Sequence, residues 1–226
     1  MRPELRRIGA GGHPLVIVDG FSGDPGCIVE TAAALAPFPR AGNYYPGLRR
    51  VIRREDADAD SYVVATMEKA APFIGGGFDV DAFDLVEASF SMVVDPPHAL
   101  SPAQRAPHFD STDPGYIAVL HYLGGTEETG TAFYRHRATG IEAVDEANLD
   151  RFVTAARRES AALSGYVTGD NAYFEQVHAV EAVPDRLIVY QGCLLHSGLI
   201  PPDLPLDPDP RRGRLTANFF IKAKRP

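Results

Sequence analysis

The chain has 226 residues, of which 45% are hydrophobic and 23% charged, with 30 acidic against 22 basic side chains for a net charge of -8. Ordinary apolar content excludes a largely disordered chain, and 21 Gly with 19 Pro disfavour a bundle of long helices, because both residues break helix interiors. The acidic balance repels phosphate backbones, so no nucleic acid partner is expected.

Two cysteines, Cys27 and Cys193, cannot build a disulfide framework. The start MRPELRRIGAGG lacks the apolar run of a signal peptide, and no stretch approaches the ~18 apolar residues of a membrane span. A cytoplasmic protein with no membrane partner is expected.

In chain order, Pro14 to Val18 reads as a short strand. Asp24 then offers a helix N-cap with Pro25 at the first helical position, and Pro37 and Pro39 lie beyond that helix. Leu48 to Arg53 reads as a strand, and the run RRVIRR (Arg49 to Arg54) as its solvated face. Ala59 to Phe73 has helical spacing and is expected to stop at Pro72 and Gly75 to Gly77.

From residue 83 the pattern becomes strand-like. Phe83 to Val94, Gly115 to Leu123, Thr131 to Arg135, Phe174 to Ala182, Arg186 to Tyr190, Leu194 to Gly198 and Arg214 to Lys222 give seven strands, as in a sandwich or jelly roll. A helical insert spans Asp145 to Leu163, and the proline-rich stretch Pro201 to Pro210 is a surface loop. One domain is expected over 1–226, with an α/β support region at 1–82 and a β core at 83–223.

Three chemistry-bearing elements follow one another. His108-Phe109-Asp110 can aim an imidazole and a carboxylate at one point, since residues i and i+2 of a strand share a face. Alone this is weak, because His-x-Asp arises by chance about 0.6 times in such a chain. His196 follows an apolar strand pair and precedes a glycine. Arg214 and Thr216 open the last strand on one face, and an inward arginine needs a counter-charge.

Together, two imidazoles and one carboxylate cover one face of an octahedral metal and leave three positions open, the facial triad of non-haem Fe(II) oxygenases. A dicarboxylate co-substrate can take two of these positions, with O2 at the third. Its far carboxylate then suits Arg214 and Thr216. His121 is expected on the strand face opposite Tyr122. Cys193 is read as a core residue, and Gln104 and Arg105 as loop anchors.

The segments PHFDSTDPGYIAVLHYLGGTEETGTAFY, LIVYQGCLLHSG and GRLTANFFIK resemble the 2-oxoglutarate/Fe(II)-dependent dioxygenases, in their prolyl-hydroxylase-like branch. The resemblance covers residues 83–223. It implies a mainly β fold with α elements: a double-stranded β-helix (jelly roll) with N-terminal helices packed on one sheet. It implies iron held by His108, Asp110 and His196, and 2-oxoglutarate held by Arg214 and Thr216. By that branch's pattern Tyr122 also reaches the co-substrate's far carboxylate. NYYPGLRR looks like part of an uncharacterised bacterial family described as oxygenases.

The implied activity is hydroxylation of a small molecule or peptidyl side chain. Asp110 argues against halogenation, since related halogenases lack this carboxylate. The spacing from His196 to Arg214 is long for the branch, and the loop Pro201 to Pro210 explains it. The insert 145–163 is in position to act as a lid or as a packing helix. The alternative function is a non-catalytic jelly-roll binding module with a structural metal or none. A cupin-like isomerase would use a His-x-His pair, which this chain lacks.

Overall fold

Most strands form on apolar-rich or alternating segments, and the helices where apolar residues recur every three or four positions. The computed structural model describes residues 2–42, 44–125 and 128–224. Asn43 of NYYPGLRR, and Thr126 and Glu127 of the segment between the strands expected at 115–123 and 131–135, lie outside the described residues. The elements are β1 (Arg2–Ile8), β2 (His13–Asp19), α1 (Pro25–Ala34), β3 (Gly47–Val51), α2 (Ala57–Phe78) and β4 (Ala82–Val93). They continue with β5 (Tyr116–Tyr122), β6 (Gly130–His136), α3 (Leu149–Ser160), β7 (Phe174–Glu181), β8 (Arg186–Gln191), β9 (His196–Leu199) and β10 (Leu215–Lys224).

The strands form two antiparallel sheets. The larger has the order β1-β2-β8-β5-β10-β4-β3, the smaller β7-β6-β9. β1 and β2 extend one edge of the larger sheet and β3 forms its other edge, so the N-terminal region flanks the core strands on both sides. Leu120, Tyr122 and Ile188 from one sheet meet Phe133 and Val180 from the other in the inter-sheet core. On the opposite face, Ile28 and Ala32 of α1 and Val63, Ala70 and Ile74 of α2 pack on Phe90, Val119, Val189 and Phe219. The expected mainly β jelly roll with N-terminal helices on one sheet is therefore present.

Asp24 accepts a hydrogen bond from the Cys27 amide at 3.1 Å and caps α1, with Pro25 at its first position. The stop expected at Pro72 is corrected: α2 runs through Pro72 and the three glycines to Phe78. Proline removes a helical donor, but Ala70 and Ile74, both fully buried, hold this end against the sheet. Gly77 permits the close approach, since a Cβ there would lie 2.6 Å from Val16 Cγ2. The helix ends at Asp79 in the left-handed region, φ 55°. β1 carries no apolar alternation and escaped the sequence reading; it is an edge strand paired residue by residue with β2.

The insert forms helix α3 and packs. Phe152 is buried beside Tyr134 and Phe174, and His136 bonds Glu159 at 2.6 Å. Arg105 ties the segment after α3 to the loop before His108 through the carbonyls of Leu163 and Leu100. In the proline-rich loop, Arg212 pairs with Asp207 and Arg211 with Glu30, so both stay at the surface.

α2 is tied to the sheet by a buried polar chain. Tyr62 Oη lies 2.8 Å from His121 Nδ1, and His121 Nε2 lies 3.0 Å from Asp185 Oδ1. His121 is thus on the helix-covered face, opposite Tyr122 as expected. Burial alone would raise the Asp185 carboxyl, but hydrogen bonds from His121, the Ser22 hydroxyl and the Ser22 and Gly23 amides outweigh it and hold it well below the usual range. A depressed folded-state pKa gives stability that is present above the unfolded value and lost as pH falls. Asp185→Asn, which tolerates the positive φ of 66° there, is expected to lower the thermal midpoint at pH 7. The deficit should shrink below about pH 4, read from circular-dichroism melts at pH 7 and pH 3; an equal deficit at both would contradict it.

Candidate metal centre

Backbone pairing brings His108 and His196 together. The His108 amide donates to the His196 carbonyl at 2.9 Å, and the His196 amide to the His108 carbonyl at 2.8 Å. A directly opposed antiparallel pair projects both side chains to one face, and the two ring centroids lie 4.3 Å apart. Residues 107–110 make only this isolated bridge rather than a full strand, yet the i, i+2 alternation holds. Phe109, between His108 and Asp110, packs edge-on with Phe152 and also lines the cavity beside the donors.

Asp110 is fixed by Gly192, whose carbonyl accepts the Asp110 amide at 2.7 Å. Asp110 Oδ1 then lies 3.9 Å from His108 Nε2, and Oδ2 lies 3.7 Å from His196 Nε2. All three donor atoms fall within 4.8 Å of one another. Adjacent donors on one face of an octahedral ion, each about 2.1 Å from it, stand about 3 Å apart, so the three side chains would draw together around a bound metal.

The electrostatics suit a cation. Desolvation, then the neighbouring His196 and Arg49, lowers His108 from its ordinary value, although its side chain is 58% exposed. Desolvation pushes Asp110 up, partly offset by His196 and Arg49; a bound cation would reverse that cost. His196 Nδ1 lies 2.8 Å from the Leu194 carbonyl, which fixes the tautomer and frees Nε2 as a donor.

A cavity of about 360 Å³ opens over these groups, lined in part by His108, Asp110, Arg214, Arg49, Tyr45 and Tyr166. Arg214 is 6% exposed. One of its Nη atoms donates to the Gly130 carbonyl at 2.8 Å, while its Nε is buried with no hydrogen-bond partner among the described residues. A buried, incompletely bonded guanidinium facing a three-donor cluster fits a carboxylate ligand held beside a metal.

Thr216 is 2% exposed, and its hydroxyl donates to the Ser91 carbonyl and accepts from Asn218 Nδ2, both at 3.4 Å. Tyr122 sits one strand further in, opposite Thr216. Its hydroxyl donates to Thr131 at 2.7 Å, and burial pushes it up to about 12. Tyr122 and Thr216 thus flank Arg214 from the wall, while Arg214 itself lines the cavity.

Tyr45, Arg49 and Tyr166 were not anticipated at the site. NYYPGLRR carried the signal for the first two, but RRVIRR read as a solvated face. Gln104 lines the cavity and also caps its own turn through Ser101. Cys193 is buried with a thiol pushed up to about 11, consistent with a core residue.

Residues 1–221 match the model of a family of unknown function, DUF6445. A search of curated protein sequences found no match. Several solved structures share the fold. The non-heme alpha ketoglutarate dependent epimerase SnoN from nogalamycin biosynthesis aligns over 92% of this chain and 77% of its own, at 14% identity and TM-score 0.57. A Pseudomonas putida prolyl-4-hydroxylase aligns over 95% of both chains, at 15% identity and TM-score 0.53. HygX from Streptomyces hygroscopicus, with iron bound, aligns over 94% of this chain and 83% of its own, at 12% identity and TM-score 0.52. At these identities the likeness is one of fold.

A Cβ at Gly192 would lie 2.8 Å from the Tyr116 ring and 3.2 Å from Asp110 Cβ. Gly192→Ala is therefore expected to displace Asp110 and weaken Co(II) binding by about tenfold or more, the scale of outer-shell changes at metal sites, with the circular-dichroism spectrum retained. Unchanged Co(II) affinity would contradict this role.

Proposed function

We propose, for a chain that belongs to the DUF6445 family of unknown function, that it is an Fe(II)- and 2-oxoglutarate-dependent oxygenase hydroxylating a small molecule or a peptidyl side chain. The observation that carries this reading is the buried guanidinium of Arg214, with an unpartnered Nε, in the same cavity as His108 and Asp110, whose donor atoms cluster with that of His196. Two of the fold relatives named above support it: SnoN is described as alpha ketoglutarate dependent and HygX was solved with iron bound. No helix among the described residues is long and apolar enough to cross a membrane.

His108, Asp110 and His196 hold the metal in this reading. Iron, with 2-oxoglutarate and O2, supplies the oxidising power that turns a C–H bond into C–OH and releases succinate and CO2. The chain's own residues bind, orient and shield. Arg214 takes the far carboxylate of 2-oxoglutarate by charge-assisted hydrogen bonds, and Thr216 and Tyr122 complete that wall. The Leu194 carbonyl orients His196, and Gly192 fixes Asp110. Phe109 and Ile200 give the cavity apolar walls that limit water.

A closed structural ion site, the alternative, usually has four protein ligands. Three donors meet here among the described residues, beside an open cavity.

Anaerobic addition of Fe(II) and 2-oxoglutarate is expected to give a visible charge-transfer band. His108→Ala should abolish it. Arg214→Gln should weaken 2-oxoglutarate binding by about 100-fold, within the range for losing one partner of a buried charge pair. No band in the unaltered protein, or an unchanged one in His108→Ala, would overturn the reading.

A further inference from the structure

Arg49 is left over once the metal and 2-oxoglutarate are placed. It lies on β3 opposite Ser91 of β4, which in turn lies opposite Thr216 of β10. Directly paired residues project to one side of a sheet, so Arg49 shares the cavity-facing surface with Thr216. Its Nε donates to Ser91 Oγ at 3.2 Å. Its guanidinium carbon lies 5.4 Å from the ring centre of Tyr45 and 5.7 Å from that of Phe220. The planar group is thus held by two aromatic contacts and a hydroxyl, a preorganised site for an anion.

The counter-charge within the protein is weak. Glu87 approaches an Arg49 Nη to 3.5 Å, but its side chain is 36% exposed against 16% for Arg49. A pair open to solvent on the carboxylate side contributes little. Of the five N–H donors of an arginine, these contacts engage two.

The charges in the cavity point the same way. Asp110 lies within electrostatic reach of Arg49, but as a metal ligand it is taken up by the ion; with 2-oxoglutarate held by the metal and Arg214, one positive charge is left without a partner. The cation that remains is Arg49, in a small cavity whose walls include Tyr45, Phe109, Tyr166, Ile200 and Phe220. At about 360 Å³ the space is at the low end for a ligand pocket, so the part of the substrate that enters is of amino-acid size.

We propose that Arg49 binds a carboxylate of the primary substrate, which is therefore a small organic acid with an apolar or aromatic body. This inference rests on the oxygenase reading for the identity of the cavity's other occupants. The anion site itself rests on the surroundings of Arg49.

Isothermal titration calorimetry of the full-length protein tests it, with Zn(II) in place of iron, in the presence and in the absence of 2-oxoglutarate. The probes are 3-phenylpropionate and hexanoate, with 3-phenylpropionamide as the neutral counterpart. At least one acid is expected to bind saturably, and the amide at least tenfold more weakly than 3-phenylpropionate or not at all. Arg49→Gln should weaken acid binding at least tenfold, and Arg49→Lys, which keeps the charge but loses the planar fork, by less. Affinity for 2-oxoglutarate should fall less than affinity for the acid in Arg49→Gln, and Arg214→Gln should show the reverse order. Equal binding of acid and amide, an acid affinity unaffected by Arg49→Gln, or no saturable binding of either acid would overturn the proposal. Failure of the unaltered protein to bind 2-oxoglutarate would instead count against the oxygenase reading, because the dependence of acid binding on Arg49 is read without it.

Discussion

Burying a guanidinium without a counter-charge is among the more expensive choices a fold can make, since desolvation of an ion costs several kcal/mol even after relaxation. Arg214 is placed that way: 6% exposed, bonded to one backbone carbonyl, its Nε unpartnered among the described residues. Its neighbours Arg211 and Arg212 are paired with Glu30 and Asp207 at the surface. The chain therefore holds carboxylates close by and keeps them away from Arg214. That arrangement is costly for stability alone, and it is what a site for an anionic ligand requires.

The rest of the architecture places partners around that charge. β10 lies between β4 and β5 in the larger sheet, which sets Arg214 at the cavity and Thr216 and Tyr122 in the wall behind it. The smaller sheet supplies β9, whose first residue is His196, and the reciprocal bridge to His108 brings the second imidazole alongside. The three donors come from loop and strand ends. They are held by backbone hydrogen bonds, and the His196 ring also packs against Tyr190 and Phe133. α1 and α2 cover the opposite face of the larger sheet, and the Tyr62–His121–Asp185 chain holds α2 there.

Much of this was legible in the sequence because it is local or ordered. His108 and Asp110 share a face by alternation, and His196 and Arg214 follow in the order of the oxygenase family that these segments resemble. The seven later strands were visible from turn residues and alternation. What escaped depends on pairing across the chain. Arg49 reads as part of a charge run, and only its register against β4 turns it toward the cavity. α2 runs past Pro72 because Ala70, Ile74 and the contact of Gly77 with Val16 outweigh local propensity. β1 has too little apolar alternation to stand out, and its pairing with β2 creates it. The insert could be located but not its role, which is set by Phe152 and by the His136–Glu159 pair.

The most direct measurement is a crystal structure of the protein grown anaerobically with Mn(II) and 2-oxoglutarate, with data collected for anomalous scattering. The expected result is one anomalous peak among His108, Asp110 and His196, and a 2-oxoglutarate carboxylate bonded to Arg214, including its Nε. A metal peak elsewhere, or an Arg214 that stays unliganded while the metal site is filled, would contradict it.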